Sequence, residues 1–278
     1  MGYSVFANTM ADMAWTDVDA AIRTGAVILL PSGPMEEQGP HLPLATDLYM
    51  SYAVCTRLRD ALATRGIPAL IAPPYYWGIN HVTGGFPGSF TVRAETMKAI
   101  LFDIMACLER WGAKHLFLAD FHGDPHHRGA LLESLRAARQ QLNLDARILI
   151  SHWEAAEQDL GEARDPVLVF PVDLPADTPS GPPDDVHAGA FATATMHRHF
   201  PALVNLDLAG ALPPTDLTFS EIPAWQQGGE ATRRLTPAGY FGSPARFAEA
   251  AAVPDFIIEY ARFAATRIAA YLQGPATA

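Results

Sequence analysis

A chain of 278 residues is long enough to build a full α/β core and sits near the upper size at which a single core suffices. With 49% apolar and 18% charged residues, and no apolar run approaching the roughly 18 residues of a membrane span, the composition supports neither disorder nor a membrane-spanning segment. Nineteen basic against thirty acidic side chains leave a net charge of −11, which disfavours nucleic-acid binding, because phosphate attraction needs clustered Lys and Arg.

The N-terminus has no basic-then-apolar signal pattern, and Phe6 stands where a myristoylation motif needs Ser or Thr. Cys55 and Cys107 fall inside apolar helical patterns, where a thiol behaves as a small hydrophobe. The expectation is one soluble domain, residues 1–278, in a reducing cytoplasm.

The first apolar run, Ala26 to Pro31, reads as a buried strand feeding a loop, and similar runs follow at Pro68 to Ile71, His115 to Ala119 and Ala146 to Ile150. Helical spacing separates them at about Thr46 to Arg65, Ala94 to Trp111 and Arg128 to Leu142. This alternation predicts a parallel sheet with helices on both faces. After Ser151 the pattern fades into a Pro-rich stretch, Pro171 to Pro183, read as a loop over the site. A helix is expected from about Ala188 to His199, and a last one from Pro254 to Leu272 with Pro254 in its first turn.

Two clusters follow strands at the sheet edge where open parallel sheets bind ligands. Glu36 to Asp47 packs acids, His41 and two prolines into twelve residues, which suits metal ligation but equally a solvated loop with a cap at Thr46 or Asp47. Asp120 to His127 holds three His and two Asp, the donors of a zinc or manganese site. Asp184 to Gly189 places His187 at a helix start, as a proton donor or ligand. The glycine- and aromatic-rich loop Trp77 to Ser89, with His81, and the indoles Trp153 and Trp225 are candidates for pocket walls.

At these residues the chain resembles the creatininase, or creatinine amidohydrolase, family. That family carries Glu-x-His-Gly-x-His-Leu-Pro-x-x-Thr-Asp after its first strand, matched here at Glu36, Gly39, His41, Leu42, Pro43, Thr46 and Asp47. Phe86-Pro87-Gly88-Ser89, the turn Asp120 to Pro125, His187-Ala188-Gly189 and Gly239 to Pro244 follow in the family's order.

The resemblance implies a three-layer α-β-α sandwich with a mostly parallel sheet, assembled as a homohexamer around pairs of zinc or manganese ions. Carried over by position, Asp47 bridges the ions, Glu36 and His122 hold one, Gln38 and Asp124 face the other, and His187 shuttles a proton; nearby Asp185 is expected to orient that imidazole. Gln38 stands where the family has a metal-binding His, and its amide oxygen is a weaker ligand than imidazole. The helix after His187 offers Ala190, Ala192 and Ala194 where many members carry a Glu, leaving Asp124, His126 or His41 to compensate, or one ion to suffice. His41, His81, Trp153 and His126 are the expected substrate contacts.

The implied chemistry is attack of a metal-activated water on a carbonyl. Cleavage of a C–N bond gives amide or lactam hydrolysis, and cleavage of a C–C bond gives opening of a cyclic polyol ketone, as in the family's inosose hydrolases of inositol metabolism. A non-catalytic small-molecule binder on the same fold is the reading from another class.

Overall fold

Strands buried on both faces need helices above and below them, so the alternating pattern leaves a parallel sheet between two helical layers as the stable arrangement. The computed structural model, which describes residues 3–157, 165–172 and 183–274, has this α/β architecture. Its strands are β1 (Val27–Ser32), β2 (Ala69–Ile71), β3 (His115–Asp120), β4 (Asp145–Ser151) and β5 (Val167–Phe170). They form a five-stranded, wholly parallel sheet in the order β2-β1-β3-β4-β5.

The helices are α1 (Trp15–Arg23), α2 (Thr46–Ala63), α3 (Ala94–Arg110), α4 (Pro125–Gln141), α5 (His152–Glu157) and α6 (Ala190–His199). Short α7 (Leu206–Ala211), α8 (Ile222–Trp225), α9 (Glu230–Leu235) and α10 (Phe247–Ala250) precede the long α11 (Phe256–Gln273). Among the described residues no helix is long and apolar enough to cross a membrane.

Side chains alternate through the sheet. Ile28, Leu30, Leu116, Leu118 and Ile148 pack with Ile22 of α1, Met97 of α3 and Leu131 of α4. Val27, Leu29, Phe117 and Leu149 pack on the other face with Leu58 of α2 and Tyr260 and Ile268 of α11. Each such residue contributes about 1.5–3 kcal/mol on burial. Exposed pairs such as Arg246 with Glu249 are screened by solvent and contribute little, so the two apolar layers hold the fold.

Four expectations are corrected. A fifth strand, β5, lies beyond Ser151, where the sequence pattern fades, and most of the Pro-rich stretch, 173–182, lies outside the described residues. Helix α4 starts at Pro125 rather than Arg128, because Asp124 caps it and proline fits the first turn. Pro254 is outside α11: Asp255 is the cap, its carboxylate accepting from the Ile257 and Ile258 amides. Neither Thr46 nor Asp47 caps α2, whose cap position is Ala45 with no side-chain bond.

The β1–β3 register decides where the site lies. Ser32 pairs with Asp120, so β1 and β3 end side by side and release the loops of Glu36 and His122 together. The Ser32 hydroxyl donates to Asp120 Oδ2 at 2.7 Å, and Ser51 of α2 donates to the Ser32 carbonyl at 2.6 Å. At Gly33 an added Cβ would meet the Leu48 nitrogen at 2.7 Å, so the start of α2, and with it Asp47, can close onto the end of β1.

Candidate active site

Three elements deliver three ligands. Glu36 from the β1–α2 loop, Asp47 from the first turn of α2 and His122 from the β3–α4 loop each present one donor atom, all within 4.8 Å of one another. All three are buried. His122 Nδ1 lies 3.0 Å from Glu36 Oε1 and 3.3 Å from Asp47 Oδ2. The opposite ring nitrogen, Nε2, is 3.0 Å from the Ile79 carbonyl and donates to it, which leaves Nδ1 as the atom that faces the carboxylates. Thr83, unremarked in the sequence, donates to Glu36 Oε2 at 2.6 Å and fixes that carboxylate.

The electrostatics fit a cation. Burial works to raise Glu36, but the charges of His122 and His187 outweigh it and hold the carboxyl at about 2. Burial pushes Asp47 up to about 7, with repulsion from Glu36 adding to it. Burial alone would lower His122, yet the two carboxylates lift it well above its ordinary value. Asp47 Oδ2 is buried with no hydrogen-bond partner among the described residues. Two buried carboxylates, one orphaned oxygen and an oriented imidazole form a donor set for a hard or borderline divalent ion. Such an ion would take the place of the proton on Nδ1.

A cavity of ≈ 240 Å³ opens over this group, walled by Met50, Val82, Phe121, Phe191, Ile222 and Trp225. His187 lies at its edge. Its Nε2 is 2.9 Å from the Glu37 carbonyl and 3.3 Å from Glu37 Oε1, while Nδ1 is 3.9 Å from Glu36 Oε1. Burial opposes its charge, but Glu36, Glu37 and Asp47 raise it to about 9. The Trp225 ring stands 5.7 Å from the imidazole, and its own N–H donates to Thr236 at 3.1 Å.

The remaining candidates fall elsewhere. Asp185, expected to orient His187, spends its carboxylate on the Ala190 and Phe191 amides at the start of α6, and Glu37 is the acid that meets His187. Asp124 lines the cavity, but Oδ1 accepts from the His126 and His127 amides and Oδ2 from Val82. Gln38 donates its side-chain nitrogen to Glu36 Oε1 at 3.1 Å and Asp47 Oδ1 at 3.0 Å. His41 is buried against Thr193 Oγ1 at 2.7 Å, away from the cavity walls.

His81 and His126 pair with ring centroids 4.4 Å apart and line a neighbouring surface cleft with Lys98 and Glu133. The Trp153 side chain lies outside the described ones. His127 is fully buried behind His122, accepting from the Ile79 amide at 3.2 Å and facing Asp120 at 3.2 Å. It comes so close to Gly78 that a Cβ there would overlap its ring.

Glu37 and Thr83 had no sequence signal of their own. Glu37 reads as one more acid in an acidic loop, and only the return of the chain at His187 gives it a partner.

A model of the family described as Creatininase, creatinine amidohydrolase, matches residues 11–257. The creatinine amidohydrolase of Pseudomonas putida is 27% identical over 225 residues, covering 77% of this chain and 79% of that protein. A mycofactocin precursor peptide peptidase of Mycobacterium ulcerans (strain Agy99) is 27% identical over 255 residues, covering 89% of this chain and 86% of its own. In fold, a crystal structure of creatinine amidohydrolase superposes with TM-score 0.65 at 21% identity, covering 97% of this chain and 99% of that one. A creatininase described as a Mn form gives TM-score 0.62 at 22% identity, covering 96% and 97%. A mutant creatininase of Zn-Zn type gives 0.60 at 21%, covering 99% and 100%. With most of its length matched by the family model and the same sandwich built from it, this chain belongs to the creatininase family of hydrolases.

Proposed function

We propose that this protein is a metal-dependent amidohydrolase that cleaves the C–N bond of a small, partly apolar amide or lactam. The observation that carries this reading is the convergence of Glu36, Asp47 and His122 beneath a cavity whose edge holds His187.

Glu36, Asp47 and His122 are the residues that would hold the ion, zinc or manganese being the metals named for its structural relatives. When bound, such an ion supplies an activated water and polarises the substrate carbonyl. The protein's own residues do the rest. Thr83 and the Ile79 carbonyl keep Glu36 and His122 in their binding orientation. His187, protonated at neutral pH and anchored through Nε2 by Glu37, keeps Nδ1 toward the centre and gives its proton to the departing nitrogen. Phe121, Phe191 and Trp225 exclude water from the bond being cleaved.

Those walls also favour C–N over C–C cleavage. A cyclic polyol ketone needs a partner for each of several hydroxyls, and on the sides lined by Met50, Val82, Phe121 and Ile222 each hydroxyl left unpaired costs about 1–3 kcal/mol, which among the wall residues Thr83 and Gln226 could offset. An amide asks for one carbonyl and one nitrogen to be satisfied, which the centre and His187 provide. Creatinine itself is a poor candidate, because Gln38 stands where the family has a metal-binding His. The mycobacterial peptidase relatives make the amide of a short peptide a second substrate form to include.

The test is turnover of lactams, N-formyl compounds, short peptide amides and cyclic polyol ketones by the zinc and manganese forms, with amine release and C–C cleavage products measured separately. Amine release confirms the reading, C–C cleavage products replace it with the ketone hydrolase, and a folded protein holding less than about half an equivalent of metal without turnover makes it a binder. Assembly as a homo-oligomer, up to a hexamer, and a cytoplasmic location belong to the same proposal, the former checked by light scattering.

A further inference from the structure

Asp47 offers its two oxygens to different partners. Oδ2 is the buried atom without a hydrogen bond, and it faces His122. Oδ1 accepts from Gln38 Nε2 at 3.0 Å, and the same nitrogen donates to Glu36 Oε1 at 3.1 Å. Charge settles which end of the amide lies there. Between two carboxylates the NH₂ group gains two charge-assisted bonds, whereas the carbonyl oxygen would face two anions.

We infer that the centre holds one divalent cation, with the Gln38 amide occupying the place from which a second would share Asp47. This rests on the metal-dependent reading proposed above. A second ion bridged by Asp47 must approach Oδ1 to about 2 Å, which is space taken by the amide hydrogens.

Two further observations agree. Asp124, the remaining acid on the cavity wall, has both oxygens committed to backbone amides. Among the described residues only Glu36, Asp47 and His122 converge as a group of three metal-type donors.

The test uses the whole purified protein, stripped with a chelator, reloaded with excess Mn²⁺ and desalted. Metal per chain is measured by mass spectrometry, and the electron paramagnetic resonance spectrum is recorded. Wild type is expected to hold close to one equivalent with the spectrum of an isolated ion. Gln38→His, or Gln38→Glu where the first variant does not fold, is expected to rise toward two equivalents with the spectrum of a coupled pair.

Two equivalents in the wild type overturn the inference and leave the hydrolase reading intact. One equivalent in both wild type and a folded variant overturns the assignment to Gln38. A folded wild type holding none overturns the metal-dependent reading and this inference with it.

Discussion

Two buried histidines, one from each of the two ligand-rich clusters, have opposite electrostatics. His122 and His41 are 3% and 2% exposed, so burial penalises the charge of each. His122 meets Glu36 and Asp47 and is lifted well above its ordinary value. His41 meets only the Thr193 hydroxyl and is pushed down to about 4. Burial by itself makes an imidazole a neutral core group, and contact with carboxylates is what turns it into a ligand or proton carrier. One carboxylate does not suffice: His187, held among Glu36, Glu37 and Asp47, is raised, whereas His127, which faces Asp120 alone with the charges of His122 and Arg128 nearby, is lowered by burial.

The sharpest way to break this comparison is to remove the acidic partner. Asp47→Ala and His122→Ala should lose bound metal and fall to background amide hydrolysis while circular dichroism stays that of wild type; retained turnover in either variant would place the chemistry elsewhere. His187→Ala should keep its metal and lose about 10²–10⁴ in kcat, the usual contribution of a positioned proton donor. If metal content falls with it, His187 is a ligand instead.

Asp124→Ala tests the structural side of the contrast. Losing the cap of α4 costs about 1 kcal/mol, and stranding the Val82 amide adds about 1–3 kcal/mol, read as a lower urea midpoint with bound metal unchanged.

The smallest effect concerns His41. Its folded value, about 4, lies below the ordinary 6.5, so between these pH values the unfolded chain takes up a proton that the folded chain refuses. Stability therefore falls as pH drops through that window and is unaffected by this group above it. Relative to His41→Gln, wild type should lose at most about 1.4 kcal/mol per pH unit there. A constant difference between the two proteins from about pH 7 to about pH 4 would show that His41 is not a neutral core group.

Much of the fold was legible because periodicity is a local property. The first four strands and the helices between them were read within a few residues of β1 to β4 and α2 to α4. β5 was missed although Val-Leu-Val-Phe is an apolar run, since prolines on both sides made the region look like loop. The helix starts at Pro125 and Phe256 were misplaced by two or three residues, because a capping Asp leaves little trace in an apolar count.

At the site, the motif drew attention to Glu36, Asp47, His122 and His187, and their convergence came only with the fold. Asp124 and Asp185 looked equally functional, yet Asp124 caps α4 and Asp185 accepts from the first amides of α6, and an Asp beside a turn reads the same in either role.

Composition and spacing alone determined a parallel α/β sandwich with polar clusters at one sheet edge, since hydrophobic period and strand-end position are written residue by residue. Tertiary structure decided which polar groups meet. The β1–β3 register brings Glu36 beside His122, the return of the chain at His187 gives Glu37 its partner, and the close approach of Gln38 to Asp47 sets what that carboxylate can still bind. These are contacts between residues far apart or folded back on themselves, and local pattern carries no distance across such gaps.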